Sequence, residues 1–551
     1  MRLGMKGNAE DKGWMGHALE LSGFFPACLI VAVISLSGCL TVGPDFIQPD
    51  GPVAEGWMER DAPPIKSTPA ELSRWWEVFG DPVLDELIED ACSQNLPLRI
   101  AGVRILEARA RLGIATGERY PQLQQAAGAF TRGSLSESTA NSTPSADFTF
   151  GEINLGFDAA WELDFWGKFR RGIEAGIGDL AASIAGFDDI LVSLTAEVAR
   201  TYVQVRTLEA RLTVARENVT LQERSLRIAE AQYSGGMVTE LDVQQARSLL
   251  KDTQSTIPVF EANLRQAKNA LALLLGELPG SIDGLLSEVK PIPTPPAEIA
   301  VGVPAELLRR RPDIRLAEQQ VAAQSARIGV AKADLYPHFS LFGSIGLRAS
   351  DASLTAKGYP GGSEFSDLFD YDSLEWFAGP SVSWDLLNYG RITNRVRVQD
   401  ARLQELIVNY RDTLLRAAQE VEDAMAAFLG AQEQTGFLAD SAHAAERSVD
   451  LSLLQYKEGL VDYQRVIDTQ RFLSIEQDRL TEATGSIALN LITMYKALGG
   501  GWQVRQGKSF VPQETTEEMR TRTNWGELLK QDDLEPAVEK SSKKRWWWPD
   551  W

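Results

Sequence analysis

The chain is short of cysteine and of histidine, with three of each in 551 residues. Three thiols exclude a disulfide scaffold, and Cys28, Cys39 and Cys92 form no CxxC pair that would suggest a zinc or redox site. His17, His338 and His443 stand alone, and HExxH, GxSxG and P-loop spacings are missing, so no enzyme, metal site or bound cofactor is expected. Basic residues are in deficit too. The 55 Lys and Arg face 76 Asp and Glu, a formal charge of −21, which excludes the electrostatic footprint of a nucleic-acid binder. Long apolar runs are scarce: the one near the start, Leu21 to Leu36, is too short and too broken by Ser22, Gly23 and Pro26 for a spanning helix. Hydrophobic residues nonetheless make up 44% of the chain, enough to build large cores.

Arg2, Lys6 and Lys12 precede that apolar stretch, the order of an export signal. It ends at Leu36-Ser37-Gly38-Cys39, where the segment resembles a bacterial lipoprotein signal. The resemblance implies that residues 1–38 are removed and that Cys39 carries a covalent lipid such as palmitate; an ordinary cleaved signal with an incidental Cys is the other reading. By the same resemblance, Leu40 in place of Asp lacks an inner-membrane retention signal and favours the outer membrane. Acylation of Cys39 and loss of Cys28 leave Cys92 as the sole thiol, so stability has to come from packing.

The remainder is written twice. Ala110-Arg111-Leu112-Gly113-Ile114-Ala115 with Tyr120-Pro121 returns as Ala326-Arg327-Ile328-Gly329-Val330-Ala331 with Tyr336-Pro337, an offset of 216. Trp161-Glu162-Leu163 with Trp166-Gly167-Lys168 returns as Trp384-Asp385-Leu386 with Tyr389-Gly390-Arg391, an offset of 223. The added 7 residues place an insertion in a surface loop of the second half. The expected organisation is a signal over 1–38, a first repeat over 39–276, a proline-rich linker over 277–303, a second repeat over 304–502 and an acidic polar tail over 503–551. The tail ends in Lys543-Lys544-Arg545-Trp546-Trp547-Trp548, and a solvated or loosely docked segment is expected there.

Each half reads as helix, strand pair, long helix, turn, helix. Apolar Leu191, Leu194, Val198, Tyr202, Val205, Leu208, Leu212 and Ala215 recur at spacings of 3 and 4, one helical seam. No proline interrupts Lys168 to Tyr233, which predicts a helix of roughly 100 Å. The strand reading rests on period 2: Ile153, Leu155, Phe157, Ala159, Trp161 and Leu163 are apolar, while Asn154, Gly156, Asp158, Ala160, Glu162 and Asp164 between them are polar or small. A strand with two such faces either covers a soluble core or separates lipid from water in a barrel. Four strands cannot close a barrel alone, and an open edge is intolerable in hydrocarbon, so a membrane location demands an oligomer. A dimer supplies eight strands and a trimer twelve, and only the wider ring leaves much of a lumen.

Several motifs then converge. These are Cys39 with Gly43-Pro44-Asp45-Phe46, Trp75-Trp76 with Phe79-Gly80-Asp81-Pro82, the run Trp161 to Lys168, Pro304 to Ile314, and Tyr495-Lys496-Ala497-Leu498-Gly499-Gly500-Gly501-Trp502. With them the chain resembles an outer-membrane efflux protein of the TolC/OprM class, most like its lipoprotein branch. The resemblance implies an α+β membrane protein: an internally duplicated protomer whose four strands join a trimeric 12-stranded β-barrel in the bacterial outer membrane, with long coiled-coil helices forming a periplasmic tunnel. It implies passive conduction, with a periplasmic adaptor and an inner-membrane pump of the RND type as partners. An exit duct for ABC-type polypeptide secretion and a non-conducting coiled-coil lipoprotein are the alternatives.

Three groups of site residues follow. The turns holding Gly235, Gly236, Met237 and Val238, and Gly459, Leu460 and Val461, put apolar side chains at helical tips, where the resemblance places adaptor binding; simple glycine closure of two helical hairpins is the other reading. Gln464, Asp468 and Arg471 share a helix face, and the resemblance makes this segment a periplasmic gate with Asp468 as a carboxylate ring, although Gln464 stands where the family often has Leu. An ion pair between Asp468 and Arg471 is the competing account. Asp158, Glu162 and Asp164 share the polar strand face and are expected to make a lumen acidic near one end. Pro312-Asp313 reads as a helix start with Asp313 as N-cap.

Overall fold

The computed structural model describes residues 41–529, except for 53, 55, 60–61, 64, 67–70, 137, 139–147, 297, 303–308 and 352–363. The leader, Cys39 and the Trp-rich terminus lie outside the described residues. In chain order the elements used below are β1 (Ile65–Lys66), α1 (Pro82–Gln94), α2 (Leu96–Gly117), β2 (Leu123–Ser134), β3 (Thr149–Glu162), α3 (Lys168–Ser234), α4 (Glu240–Leu274), β4 (Ile299–Ala300), α5 (Pro312–Ala333), β5 (His338–Ser350), β6 (Leu374–Ser383), α6 (Arg391–Lys457), α7 (Tyr463–Ala497) and α8 (Gln513–Arg522).

The duplication holds at the level of single residues. Helices α2 and α5 each have 22 residues and start at Leu96 and Pro312; α3 and α6 each have 67, starting at Lys168 and Arg391; α4 and α7 each have 35, starting at Glu240 and Tyr463. The turns repeat too. Gly236 and Gly459 sit at φ 73° and 72°, a left-handed conformation that only glycine adopts without strain. Each closes its helix with the same pair of bonds: Gly236 N–H to Tyr233 O and Met237 N–H to Gln232 O, then Gly459 N–H to Tyr456 O and Leu460 N–H to Gln455 O. The return helices begin alike, with Thr239 in a capping box with Asp242, and Asp462 accepting from the Arg465 N–H at 3.2 Å.

The chain forms two compact units that cut across the repeats rather than dividing between them. Among the described residues, one takes in residues 41–46, Leu112–Gly176 and Ala323–Leu403; the other takes in Ile47–Arg111, Ile177–Ala322 and residues 404–529. The physical reason is that strands satisfy their backbone groups only against strands, so the two hairpins join each other and leave their helices to pack separately.

In the first unit, β2, β3, β5 and β6 form one antiparallel sheet in that order. β2 is a full 12-residue strand although its alternation is weak, because its partner β3 supplies the register from Leu123↔Ala160 to Ser134↔Thr149. The segment around Thr41–Phe46 crosses α5 at two facing glycines. A Cβ on Gly329 would lie 2.8 Å from Val42 O and 2.7 Å from Arg171 Cγ. Arg171 in turn pairs with Asp45 at 2.6 Å and Glu174 at 2.7 Å.

The second unit is built on helices. Asp81 caps α1 by accepting from the Val83 N–H at 3.0 Å, with Pro82 at the first helical position, which is what the Gly80-Asp81-Pro82 motif provides. Trp75 and Trp76 are 1% exposed, and Trp75 stacks on Tyr495 at 5.4 Å, while Gly501 N–H donates to Leu72 O. The structure departs from the sequence expectations at Asp313 and in the segment after residue 503. Asp313 is not the N-cap of α5: Pro312 opens the helix, and the Asp313 carboxylate takes Arg311 Nη2 at 2.8 Å and the Ile314 N–H at 3.0 Å. Within the proline-rich linker, Ile299 and Val301 are buried and β4 pairs in parallel with β1. Not all of 503–551 is a tail. Phe510, Val511 and Met519 are buried, and Arg505 binds the fully buried Asp188, which also takes Arg315 at 3.4 Å. Burial pushes the Asp188 carboxyl above the usual range, and the two guanidinium groups oppose that shift. The composition of the segment hid this, because a few apolar anchors among many charges suffice to dock it.

Gly329→Ala should cost about 1–3 kcal/mol by overpacking, since the Val42 carbonyl as well as the Arg171 side chain stands in the way. A thermal melt of the purified protein reads this as a lowered Tm; an unchanged Tm would show that the crossing yields freely.

Candidate functional site

The strand register sorts the sheet into two faces. Phe157, Ile345 and Trp376 form one cross-strand row, and Leu155, Leu347 and Leu374 another, all on a single side. This apolar face is bare: Phe157 is 67% and Trp376 70% exposed. Trp161, Leu341 and Pro380 continue it. The opposite face carries Gln125, Asp158 and Ser344 in one row, interrupted by Phe342 and Phe377 with ring centroids 5.9 Å apart. Asp158 accepts from Gln125 Nε2 at 3.1 Å. Among the described residues, β2 and β6 have no further strand on their outer sides. An apolar face open to its surroundings, together with two unpaired edges, suits neither a soluble core nor an isolated sheet in lipid.

The other two carboxylates expected on the polar face are engaged at the foot of the sheet. Asp164 accepts from the Phe169 and Arg170 backbone N–H groups, both at 3.1 Å, and so caps the start of α3. Glu162 pairs with His338 Nδ1 at 2.7 Å and lies 3.6 Å from Lys168 Nζ. His338, isolated in sequence, thus has a partner 176 positions away. Of the three, Asp158 and Glu162 stand on β3, Glu162 as its last residue opposite Ser340, and Asp164 lies beyond the strand.

The two helical tips, one from each half, share a core in the second unit. Ala229, Val243, Ala246, Tyr456, Tyr463, Val466 and Ile467 form it, with Tyr456 and Tyr463 edge to face at 5.0 Å. Burial pushes the Tyr456 phenol up to about 12. The four apolar tip residues divide: Val238 and Val461 pack onto the core, whereas Met237 and Leu460 are 71% and 74% exposed. In both turns the residue after the left-handed glycine is the exposed one and the next is the packed one.

Gln464, Asp468 and Arg471 are all exposed on α7. The Gln464 amide donates to Asp468 at 2.8 Å, and its oxygen accepts from Gln245 Nε2 of α4 at 3.2 Å. Arg471 has no ion pair among the described residues, so Asp468 is tied to Gln464 and not to Arg471. Gln245 was not singled out from sequence, yet the offset of 223 makes it the first-half counterpart of Asp468. Among the described residues no cluster of His, Cys, Asp and Glu could hold a metal ion, and no helix is long and apolar enough to cross a membrane.

The described chain thus combines a two-faced four-stranded sheet with open edges and duplicated helices of 67 residues. Residues 87–277 and 303–500 match the family "Outer membrane efflux protein". The pyoverdine export outer membrane protein OpmQ of Pseudomonas putida is 31% identical over 487 residues, covering 86% of this chain and 97% of its own. The cation efflux system protein CusC of Escherichia coli is 29% identical, covering 87% and 98%. Among solved structures, the outer-membrane channel OprN superposes with a TM-score of 0.77 at 30% identity, covering 84% of this chain and 99% of that one. The chain belongs to the outer membrane efflux protein family. It is an efflux channel protein of the bacterial outer membrane.

Proposed function

We propose that three copies of this chain close a 12-stranded barrel and conduct solutes passively out of the periplasm, receiving them from an adaptor and an inner-membrane pump, with RND as the pump type. The sheet carries this reading. Four strands with two unpaired edges and a bare apolar face need further copies of themselves before they can lie in hydrocarbon. The polar face bearing Asp158 and Glu162 then turns to the lumen, with Glu162 held by His338, while Asp164 caps the start of α3. The similar proteins named for pyoverdine export and cation efflux handle small solutes, which favours efflux over polypeptide secretion. We assign the covalent lipid to Cys39. Replacing it by Ser should abolish incorporation of labelled palmitate while leaving the barrel inserted; loss of heat-resistant oligomer in that variant would give the lipid a role in assembly.

The tips serve as the adaptor's seat. Since Val238 and Val461 are packed inward, Met237 and Leu460 are the residues that can touch a partner. In-cell photo-crosslinking from positions 237 and 460 should capture a periplasmic adaptor. An inserted oligomer that yields none would strip the tips of that role.

The gate is read as a ring of Asp468 carboxylates braced by Gln464 and Gln245. Asp468→Ala should raise single-channel conductance in a planar bilayer and lower selectivity for cations over anions. Unchanged conductance and selectivity would remove Asp468 from the constriction.

A further inference from the structure

The two repeats meet each other inside one chain at the foot of β3 and β5, and that meeting carries two sets of contacts. One set lies within each hairpin and occurs twice. The Trp161 indole donates to Arg119 O at 3.1 Å, and its counterpart Trp384 donates to Leu335 O at 3.0 Å. The other set runs from the end of one hairpin to the start of the next and occurs once. Trp166 stacks on Tyr336 at 4.6 Å and donates to Pro337 O at 2.8 Å, while Lys168 pairs with Asp334 at 3.1 Å.

The counterparts of this second set are all in the sequence and all without their partners. Offsets of 223 and 216 turn Trp166 and Lys168 into Tyr389 and Arg391, and Tyr336-Pro337 and Asp334 into Tyr120-Pro121 and Glu118. These residues sit at opposite edges of the sheet, beyond β6 and before β2. Their exposure records the missing contact. Tyr389 is 96% and Tyr120 54% exposed, whereas Trp166 and Tyr336 are half-buried. Arg391 reaches Asp385 at 3.5 Å, matching Lys168 to Glu162 at 3.6 Å, but the second acid that Lys168 has is absent. Glu118 has no ion pair among the described residues. Tyr389 is also the one non-glycine residue with a positive φ among the described residues, 50°, a backbone conformation kept at a cost.

We propose that the corner after β6 seats the corner before β2 of a second copy of this chain, with Tyr389 stacking on Tyr120 of the partner subunit and Arg391 pairing with Glu118 of the partner subunit. The internal contact between the repeats is the template, and the opposite charges of Arg391 and Glu118 complement each other as those of Lys168 and Asp334 do. The inference rests on the assembly proposed above and adds its residue-level seam. It does not depend on the number of copies.

The full-length protein carrying both Tyr120→Cys and Tyr389→Cys tests it. Within one chain these positions are separated by the width of four strands, roughly 14 Å, too far for a disulfide. Any disulfide they form therefore joins two copies. Cys92 does not compete, because burial pushes its thiol up to about 11. Oxidation in cells should convert most of the chain to covalent multimers on non-reducing electrophoresis. Arg391→Glu in that background should cut the trapped fraction about tenfold, and adding Glu118→Arg should restore it. Leu123→Cys with Leu386→Cys probes the same seam, their counterparts Phe339 and Leu163 being bonded backbone to backbone at 2.8 Å. An intact oligomer on native electrophoresis with no disulfide from either pair overturns the seam and leaves the assembly standing. A protein that stays monomeric in the membrane overturns both.

Discussion

Backbone amides that meet hydrocarbon must be paired, and this chain carries too few strands to pair its own. Most of the architecture answers that deficit. The hairpins of the two repeats join each other because a lone hairpin is marginal, and together they still leave β2 and β6 open. The apolar rows through Phe157, Ile345 and Trp376 lie bare, as the proposed lipid-facing wall of a barrel requires. The two long helices run on for 67 residues, with apolar seams that are buried within the helical unit. A soluble α+β domain would have spent those helices on the sheet.

Much of this could be read without coordinates. Offsets of 216 and 223, found from a few tryptophans and glycines, located helix ends that the structure repeats to the residue. Period 2 in β3 identified both faces of the sheet, because burial on one side alone leaves a clean alternation. β2 was harder. With Gln124, Gln125, Ala126 and Ala127 in its first turns of alternation it has little contrast, and its strand state comes from pairing with β3. The fold of 503–529 was illegible for a different reason: its stability lies in a few long-range anchors, Arg505 on Asp188 and Phe510 against Phe187, that no local pattern displays. The cap made by Asp164 and the different partners of Asp313 were hidden because spacing gives the side of an element a residue occupies, but not which neighbouring N–H group is free to claim its carboxylate.

Where the halves agree, the residues hold the fold; where they differ, they mark work that only one half does. Gly236 and Gly459 keep the same φ and the same bonds because both hairpins must turn. Trp166 and Tyr389 differ because one is matched inside the chain and the other is left outside it. The same comparison separates stability from recognition at the tips. Val238 and Val461 are equivalent and both inward, whereas Met237 and Leu460 are equivalent and both outward. An apolar side chain kept exposed at the same place in two copies is not needed by the core beneath it.

The divergence between Asp468 and Gln245 has an electrostatic rationale. In the assembled ring proposed above, equivalent positions of the two halves alternate around one axis, so a carboxylate in both halves would double the number of like charges at the constriction. Repulsion grows with the number of charge pairs, so halving the carboxylates removes more than half of it. An amide at the alternate position does more than dilute the charge. Gln245 donates to Gln464, and Gln464 donates to Asp468, so the neutral half holds the charged half in place through a two-bond relay. A leucine in place of Gln464 would break that relay and leave the carboxylate free to swing. The departure from the leucine often found there is therefore coherent with a constriction set by positioned charge and not by apolar bulk.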